Sequence, residues 1–412
     1  MTGEGSALTL ANRLGSYELI RPLGQGGMAD IYLARHVGSV SPGGPGEPAS
    51  GGAAMRHDDR AQTQVARHVA IKVLNRDRAT DAQACAMFLD EARLVALLNH
   101  QNIASVLEVD IVDGKHYLAM EFVHGADLRE ILAAAQRANL ALPFETALSI
   151  VCAAAAGLDH AHRRCGPDGQ PLKLVHRDVS LSNIMVGHDG SVKVVDFGIA
   201  STTIASVHTL PGVVRGKASY MSPEQCLDEA IDHRSDVFAL GVVLYELTTG
   251  MRCFHGKTDF ERMLAVVKSD YIAPGDLLAS YPLALERVIR TALAPAPGKR
   301  FASCAAMIEA LEQVAAGEGW IGGTGAIRRL MQTLFGRAVE PWTSHPDDAA
   351  VTEPHSVVSL PLIAEPTRPA RRLARGTESD CGIAGDDNAG ELDERTRGRA
   401  PLRRPVGGGF SA

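Results

Sequence analysis

The sequence predicts an α+β protein of two lobes, a small β-rich first lobe and a larger helical second lobe with a cleft between them. Two patterns carry that expectation. Up to about residue 122 the apolar residues fall into short strand-like runs, at 17–23, 31–35 and 68–74. Beyond it, segments such as 147–162 and 236–249 are long, apolar runs that read as helical and largely buried. The composition sets the scale: 412 residues, 45% hydrophobic and 22% charged, suffice for a large buried core and exclude a small fold stapled by disulfides.

Taken in order, residues 1–16 read as an N-terminal extension and 17–316 as the globular domain. Within that domain, 37–64 is rich in Gly, Pro and small polar residues and has no period that could build an apolar face, so it is expected to be a disordered insertion between two strands. Residues 317–340 form an amphipathic helical segment. Its stripe of Ile327, Leu330, Met331, Leu334 and Phe335, flanked by Arg328, Arg329 and Arg337, suits a membrane surface or a partner, but docking on the larger lobe is the preferred expectation. From 341 to 412 a Pro-, Arg- and Asp-rich tail is expected to be disordered.

Several function classes become remote on these grounds. A net charge of -7, with the tail arginines interspersed with acids, gives no electrostatic reason to expect nucleic acid as a partner. The seven cysteines are scattered and never spaced CxxC, which points to neither a disulfide framework nor zinc and fits a reducing cytoplasm. The longest nearly apolar stretch, 147–158, is short of the ~20 residues of a membrane span. No transmembrane segment and no export signal are therefore expected. Asp159-His160-Ala161-His162 lacks nearby companion ligands and reads as helix packing rather than as a metal site.

The chemistry begins at Gly24-Gln25-Gly26-Gly27-Met28-Ala29-Asp30-Ile31, a glycine-rich turn whose backbone amides could approach a phosphate. A strand follows it, not a helix, which argues against a dinucleotide fingerprint or a P-loop. Val69-Ala70-Ile71-Lys72 then places an ammonium at the end of an apolar strand, where it needs an anionic partner. Glu91, on the helical run 88–99, is the natural carboxylate. Next come His176-Arg177-Asp178, Asn183 and Asp196-Phe197-Gly198. An Asn and an Asp so placed could share Mg2+, a cation of hard oxygen ligands.

This ordered set resembles the protein kinase family, specifically the bacterial eukaryotic-like serine/threonine kinases, over roughly residues 17–316, through Ser222-Pro223-Glu224 and the helix that starts at Asp236. The resemblance implies a bilobal kinase fold that transfers the γ-phosphate of ATP to protein serine or threonine, itself included. Lys72 would hold the α- and β-phosphates with Glu91 as its ion-pair partner, Asp178 would accept the substrate proton, and Asn183 and Asp196 would bind Mg2+. Gly24 and Gly26 would cover the phosphates. The adenine would lie between Leu23, Ile31 and Ala70 above and Met185 below, read by backbone groups of Glu121 and Val123, with Met120 at the back and Asp127 toward the ribose. Glu224 would pair with Arg300, and Asp236 would hold the catalytic-loop backbone.

Three positions depart from the family pattern: Ala29 replaces the third glycine, Ser180 stands where a lysine usually meets the γ-phosphate, and Lys217 stands where threonine is usual. Lys217 and Ser180 read either as having exchanged an ammonium and a hydroxyl or as a lost charge, with Lys217 facing solvent and the enzyme slower or tolerant of the loss. The alternative is an ATP-binding pseudokinase acting as scaffold or switch. A small-molecule kinase is disfavoured by the full activation segment. Arg177 suggests control by phosphorylation of that segment, with Ser201, Thr202, Thr203, Ser206, Thr209 and Ser219 available and Thr209 preferred. Self-association for autophosphorylation follows as a possibility of the same resemblance.

Overall fold

The computed structural model describes residues 13–37, 67–197, 217–340 and 342. The chain divides into a unit ending at Arg368 and a second from Pro369 to Ala412, which lies wholly outside the described residues. Outside them too lie the expected insertion, apart from Val37, and most of the expected extension and tail.

The first lobe is a six-stranded antiparallel sheet in the order β1-β2-β3-β4-β6-β5, with β1 at Arg13–Leu14, β2 at Tyr17–Gln25, β3 at Ala29–His36, β4 at His68–Leu74, β5 at Val106–Val112 and β6 at Lys115–Glu121. Alternation along β4 decides what each face does. Val69 and Ile71 bury against Leu14, Tyr17, Ala34, Tyr117 and Ala119 on one face, while Ala70 and Leu74 bury against Phe88, Ala92, Leu118 and Met120 on the other. Lys72 shares the parity of Ala70 and Leu74, so its ammonium is delivered to the inner face.

A short helix α1, Arg76–Ala79, precedes α2, Ala82–Ala96, which packs under that face through Phe88 and Ala92. The helix begins six residues before the run expected from the sequence, because the Asp81 side chain caps it by accepting from the amides of Gln83 and Ala84. It also ends earlier, at Leu97.

The second lobe is helical around one large core. The hinge leads into β7, Gly125–Asp127, then α3, Leu128–Arg137, and α4, Phe144–His162; β8, Ile184–Gly187, and β9, Val192–Val194, complete a small sheet with β7. After the short α5, Pro223–Cys226, the helix α6, Arg234–Thr249, buries every residue from Ser235 to Thr248 and stops at Gly250, whose φ of 68° lets the chain turn back. Such all-round burial explains the lack of amphipathic pattern in 236–249.

Helices α7, Asp259–Val267, α8, Pro274–Leu277, α9, Leu283–Ala292, and α10, Cys304–Glu318, surround α6 and α4. The last helix among the described residues, α11, spans Thr324–Phe335 within the amphipathic segment, buries Ala326, and packs Ile327 and Met331 into the same core. No helix among the described residues is long and apolar enough to cross a membrane.

Candidate active site

Lys72 reaches from β4 into the cleft between the lobes. Its Nζ lies 3.0 Å from Asp196 Oδ1 and 3.6 Å from Oε1 of Glu91, which α2 presents. Burial alone would lower the Lys72 pKa, but the adjacent Asp196 and Glu91 charges reverse this and hold the ammonium firmly protonated. Glu91 is pushed the other way: burial raises its pKa, Lys72 opposes that, and the charges of Asp196 and Asp178 add to the rise.

The catalytic loop hangs from Asp236 in the first turn of α6. Its carboxylate accepts from the amides of His176 and Arg177, both at 2.9 Å, and from His162 Nε2 at 2.7 Å. Arg177 has φ 66° and Asp196 φ 52°, left-handed conformations that non-glycine residues adopt at a cost. Asp236 on the Arg177 amide and Gln225 Nε2 on the Arg177 carbonyl, at 2.9 Å, hold that backbone in place.

His176 locks the loop to the strand end before Asp196. Its Nε2 bonds the Val195 carbonyl at 3.1 Å while Nδ1 accepts from the Asp178 amide at 3.3 Å, a network that places the ring proton on Nε2. Its ring lies 4.5 Å from that of Phe197, which is fully buried. Asp178 and Asn183 are joined directly. Asn183 Nδ2 donates to the Asp178 carbonyl at 2.7 Å and to Asp178 Oδ2 at 2.9 Å, which leaves Asn183 Oδ1 with only a long contact to Ser182 Oγ at 3.4 Å.

The donor set suits Mg2+. Asn183 Oδ1 and the Asp196 carboxylate are hard oxygens on opposite ends of one short hairpin, Ile184 to Val195, and Mg2+ characteristically takes one or two such protein ligands and fills its shell with phosphate and water. Among the described residues no group of three or more His, Cys, Asp or Glu side chains is placed to hold a metal. Asp159 and His162 serve structure instead: Asp159 accepts from the Ala305 amide at 3.1 Å and pairs with Arg163, and His162 holds Asp236.

The remaining predicted residues lie on β2 to β4, on β7 and β8, and at and beyond the end of β6. Leu23 and Ile31 pack beside Ala70 and Met120 on the inner face, and Met185 on β8 faces the hinge strand, opposite Asp127 in register. Gly24 pairs with Ile31, and Gly26 donates its amide to the Ala29 carbonyl at 3.1 Å; a Cβ on Gly26 would come within 2.9 Å of that oxygen. Glu121 donates its amide to the Ser105 carbonyl, and its carboxylate pairs with Lys193, 2.7 Å away. Val123 lies between Phe122 and His124 in the connection from β6 to β7. Asp127, expected toward a ribose, is here the N-cap of α3, accepting from the Glu130 amide at 2.8 Å and pairing with Arg129.

Two structural contacts implied by the resemblance are present, the Asp236 bonds above and the Glu224–Arg300 pair at 2.7 Å. Gly198, the Lys217 side chain and the hydroxyls at 201, 202, 203, 206 and 209 lie outside the described residues. Ser219 is fully buried and accepts from Arg252 Nη1 at 3.4 Å, so it offers no accessible hydroxyl for modification in this conformation. Ser180 is also buried, its Oγ 3.0 Å from that of Ser182. Sequence reasoning missed Asn75, whose Nδ2 donates to the Gly26 carbonyl at 2.8 Å and whose amide bonds Met28, tying down the glycine turn. It also missed Lys193 and Gln225. No local pattern marks Asn75 or Lys193; Gln225 closes the capping box Ser222-Pro223-Glu224-Gln225, a local signal for a helix start that gives no hint of its bond to Arg177.

Residues 57–310 match the family described as protein kinase domain. Similar proteins include Tyrosine-protein kinase MasK of Myxococcus xanthus, 36% identical over 75% of this chain and 44% of that one. Serine/threonine-protein kinase PrkC of Bacillus subtilis is 31% identical over 70% and 38% of the two chains, and Serine/threonine-protein kinase PknB of Mycobacterium leprae 33% over 73% and 43%. Among solved structures, a mutant of the Mycobacterium tuberculosis PknI kinase domain superposes with a TM-score of 0.51 at 27% identity, covering 76% of this chain and 100% of that domain. The chain belongs to the protein kinase family, on the branch of bacterial kinases of the eukaryotic type. It spans less than half the length of these three curated relatives.

Proposed function

We propose that this chain transfers the γ-phosphoryl group of ATP to serine or threonine hydroxyls of proteins, including its own, in the cytoplasm where ATP is the donor. The observation that carries the reading is the joint placement of Lys72 against Glu91 and Asp196 with Asp178 fixed to Asn183 by two hydrogen bonds. A pseudokinase has no need of that complete set.

In this reading Lys72 orients the α- and β-phosphates, Glu91 fixes the Lys72 side chain, and the glycine turn from Gly24 to Gly26 covers the phosphates. Leu23, Ile31, Ala70 and Met185 enclose the adenine, with Glu121 and Val123 presenting backbone groups to its edge and Asp127 reaching the ribose. Asn183 and Asp196 hold Mg2+, which would neutralise charge on the phosphoryl oxygens. Asp178 takes the proton of the attacking hydroxyl as its oxygen bonds the γ-phosphorus and the bond to the β-phosphate oxygen breaks, releasing ADP. A phosphate on the activation segment would pair with Arg177, and two copies would meet for autophosphorylation.

Serine and threonine are favoured over tyrosine because Ser182 is not the arginine that tyrosine kinases place there, and because PrkC and PknB are named serine/threonine kinases. The name of MasK makes the point worth testing. Purified protein and its Asp178→Asn variant, incubated with labelled ATP, Mg2+ and a general protein acceptor, should differ by at least ~10²-fold in label, carried on Ser and Thr. Equal label in the two, or label on Tyr alone, would overturn the corresponding part of the reading.

A further inference from the structure

The chain continues beyond the residues matched by the kinase family and returns to the cleft. Helix α11 anchors it to the larger lobe through Ile327 and Met331, and Gly336, at φ 73°, turns it back toward the hinge. There it is fastened at successive points. His124 Nε2 bonds the Val339 carbonyl at 3.1 Å, and His124 Nδ1 lies 3.7 Å from Glu340 Oε2. The Trp342 ring then stacks on His68 of β4, with centroids 3.9 Å apart and planes within 9°, and meets Phe122 edge-on at 6.4 Å.

These partners are not scattered. Phe122 and His124 flank Val123, the residue read as presenting backbone to adenine. His68 opens β4 two residues before Ala70 and four before Lys72, on the same face. A single segment therefore starts in one lobe, crosses the hinge and ends on the strand that carries the nucleotide-facing residues of the other. Any hinge motion that moves β4 away from α11 has to part the Trp342–His68 stack or drag the segment with it.

We infer that residues 339, 340 and 342 form a strap across the hinge, in which Trp342, stacked on His68, is a positioning residue that holds the lobes in the nucleotide-binding arrangement. The inference rests on the reading of the cleft as a nucleotide site. Its effect is preorganisation: hinge order already present in the free protein does not have to be imposed when nucleotide binds.

The test uses the full chain with Trp342→Ala, Trp342→Phe, His68→Ala and the Trp342→Ala/His68→Ala double variant. Affinity for ADP with Mg2+ is measured by calorimetry, and hydrogen exchange of amides 120–125 is followed without nucleotide. Loss of the stack should weaken affinity about five- to tenfold, on the scale of an aromatic pair, and speed hinge exchange. Trp342→Phe should retain most of both. The double variant should be no worse than either single one, because both remove the same contact. In turnover, KM for ATP should rise while kcat changes less.

Unchanged affinity and hinge exchange in Trp342→Ala, or strictly additive losses in the double variant, would overturn the strap. Should Trp342→Ala fold poorly, His68→Ala reads out the same contact from the other side. Wild-type protein that binds ADP and phosphorylates nothing would count against the kinase reading alone, since the strap is read in affinity and exchange.

Discussion

Two ion-paired centres organise this molecule, and they are built on opposite plans. Arg300 is wholly buried and saturated: Nη1 and Nη2 each donate to a Glu224 oxygen at 2.7 Å, the carbonyls of Arg234, Ala294 and Pro295 take further N–H groups, and the guanidinium lies 5.0 Å from the Phe238 ring centre. Lys72 instead divides one ammonium between two carboxylates at unequal distances, with Asp196 a third exposed. Closed geometry suits a fixed strut. An ammonium held less tightly by carboxylates suits a place where phosphate and metal have to enter and leave.

Removing one partner from each should separate the two plans most sharply. Arg300→Ala leaves Glu224 buried without its partner and should cost about 3–5 kcal/mol of stability, seen as a lowered denaturation midpoint, with activity of the surviving folded fraction little changed. Lys72→Met should do the reverse. Turnover should fall by about 10²–10³, the scale of losing one preorganised charge at the reacting centre, while the denaturation midpoint moves far less than in Arg300→Ala. A midpoint that drops equally in both would erase the distinction.

Acid should act on the closed centre next. Burial works to raise the Glu224 pKa, but hydrogen bonds from Arg300 and Ser235 outweigh it and hold the carboxyl below its ordinary range; Asp236 is lowered in the same way by His162 and the His176 amide. A carboxylate whose folded pKa is depressed contributes stability that is present above its unfolded pKa and disappears as pH falls through the folded one. Stability from this source should therefore be level from neutral pH down to about 5 and decline below about 4. In Glu224→Gln that decline should be shallower, as urea midpoints across pH would reveal.

How much of this was legible in the sequence depends on how local each constraint is. Lys72 stood out because an ammonium at the end of an apolar strand needs an anionic partner, whereas Glu91, Asp178, Asn183 and Asp196 were legible through the order and spacing of motifs that resemble the protein kinase family. Asn75 and Lys193 did not stand out, since each acts on a group far away in sequence and an isolated polar residue carries no periodicity, and Gln225, though it closes a capping box with Ser222, shows no local sign of its bond to Arg177 48 positions away. For Asn75, the separation is 49. The early start of α2 had a signal, Asp81, that an apolar-run reading passes over. Trp342 lay in a stretch expected to be disordered, and its ring contacts are with His68 on β4 and with Phe122 and His124 in the connection from β6 to β7, all far away in sequence.

The smallest effect tests a residue that belongs to both plans. Asp127 caps α3 through the Glu130 amide, with Glu130 returning a contact to the Asp127 amide at 3.3 Å, and it also lies at the cleft mouth beside Met185. Asn is as good an N-cap as Asp but carries no charge, so Asp127→Asn should preserve stability within a few tenths of a kcal/mol while Asp127→Ala loses about 1 kcal/mol. The pair with half-exposed Arg129 adds little to either difference. A ribose contact would show as a KM for ATP raised in Asp127→Ala well beyond its rise in Asp127→Asn, whose amide still offers hydrogen bonds to the sugar hydroxyls. Equal, unchanged KM values in both variants would leave Asp127 to the helix alone, a strut at the edge of the cleft with no part in holding nucleotide.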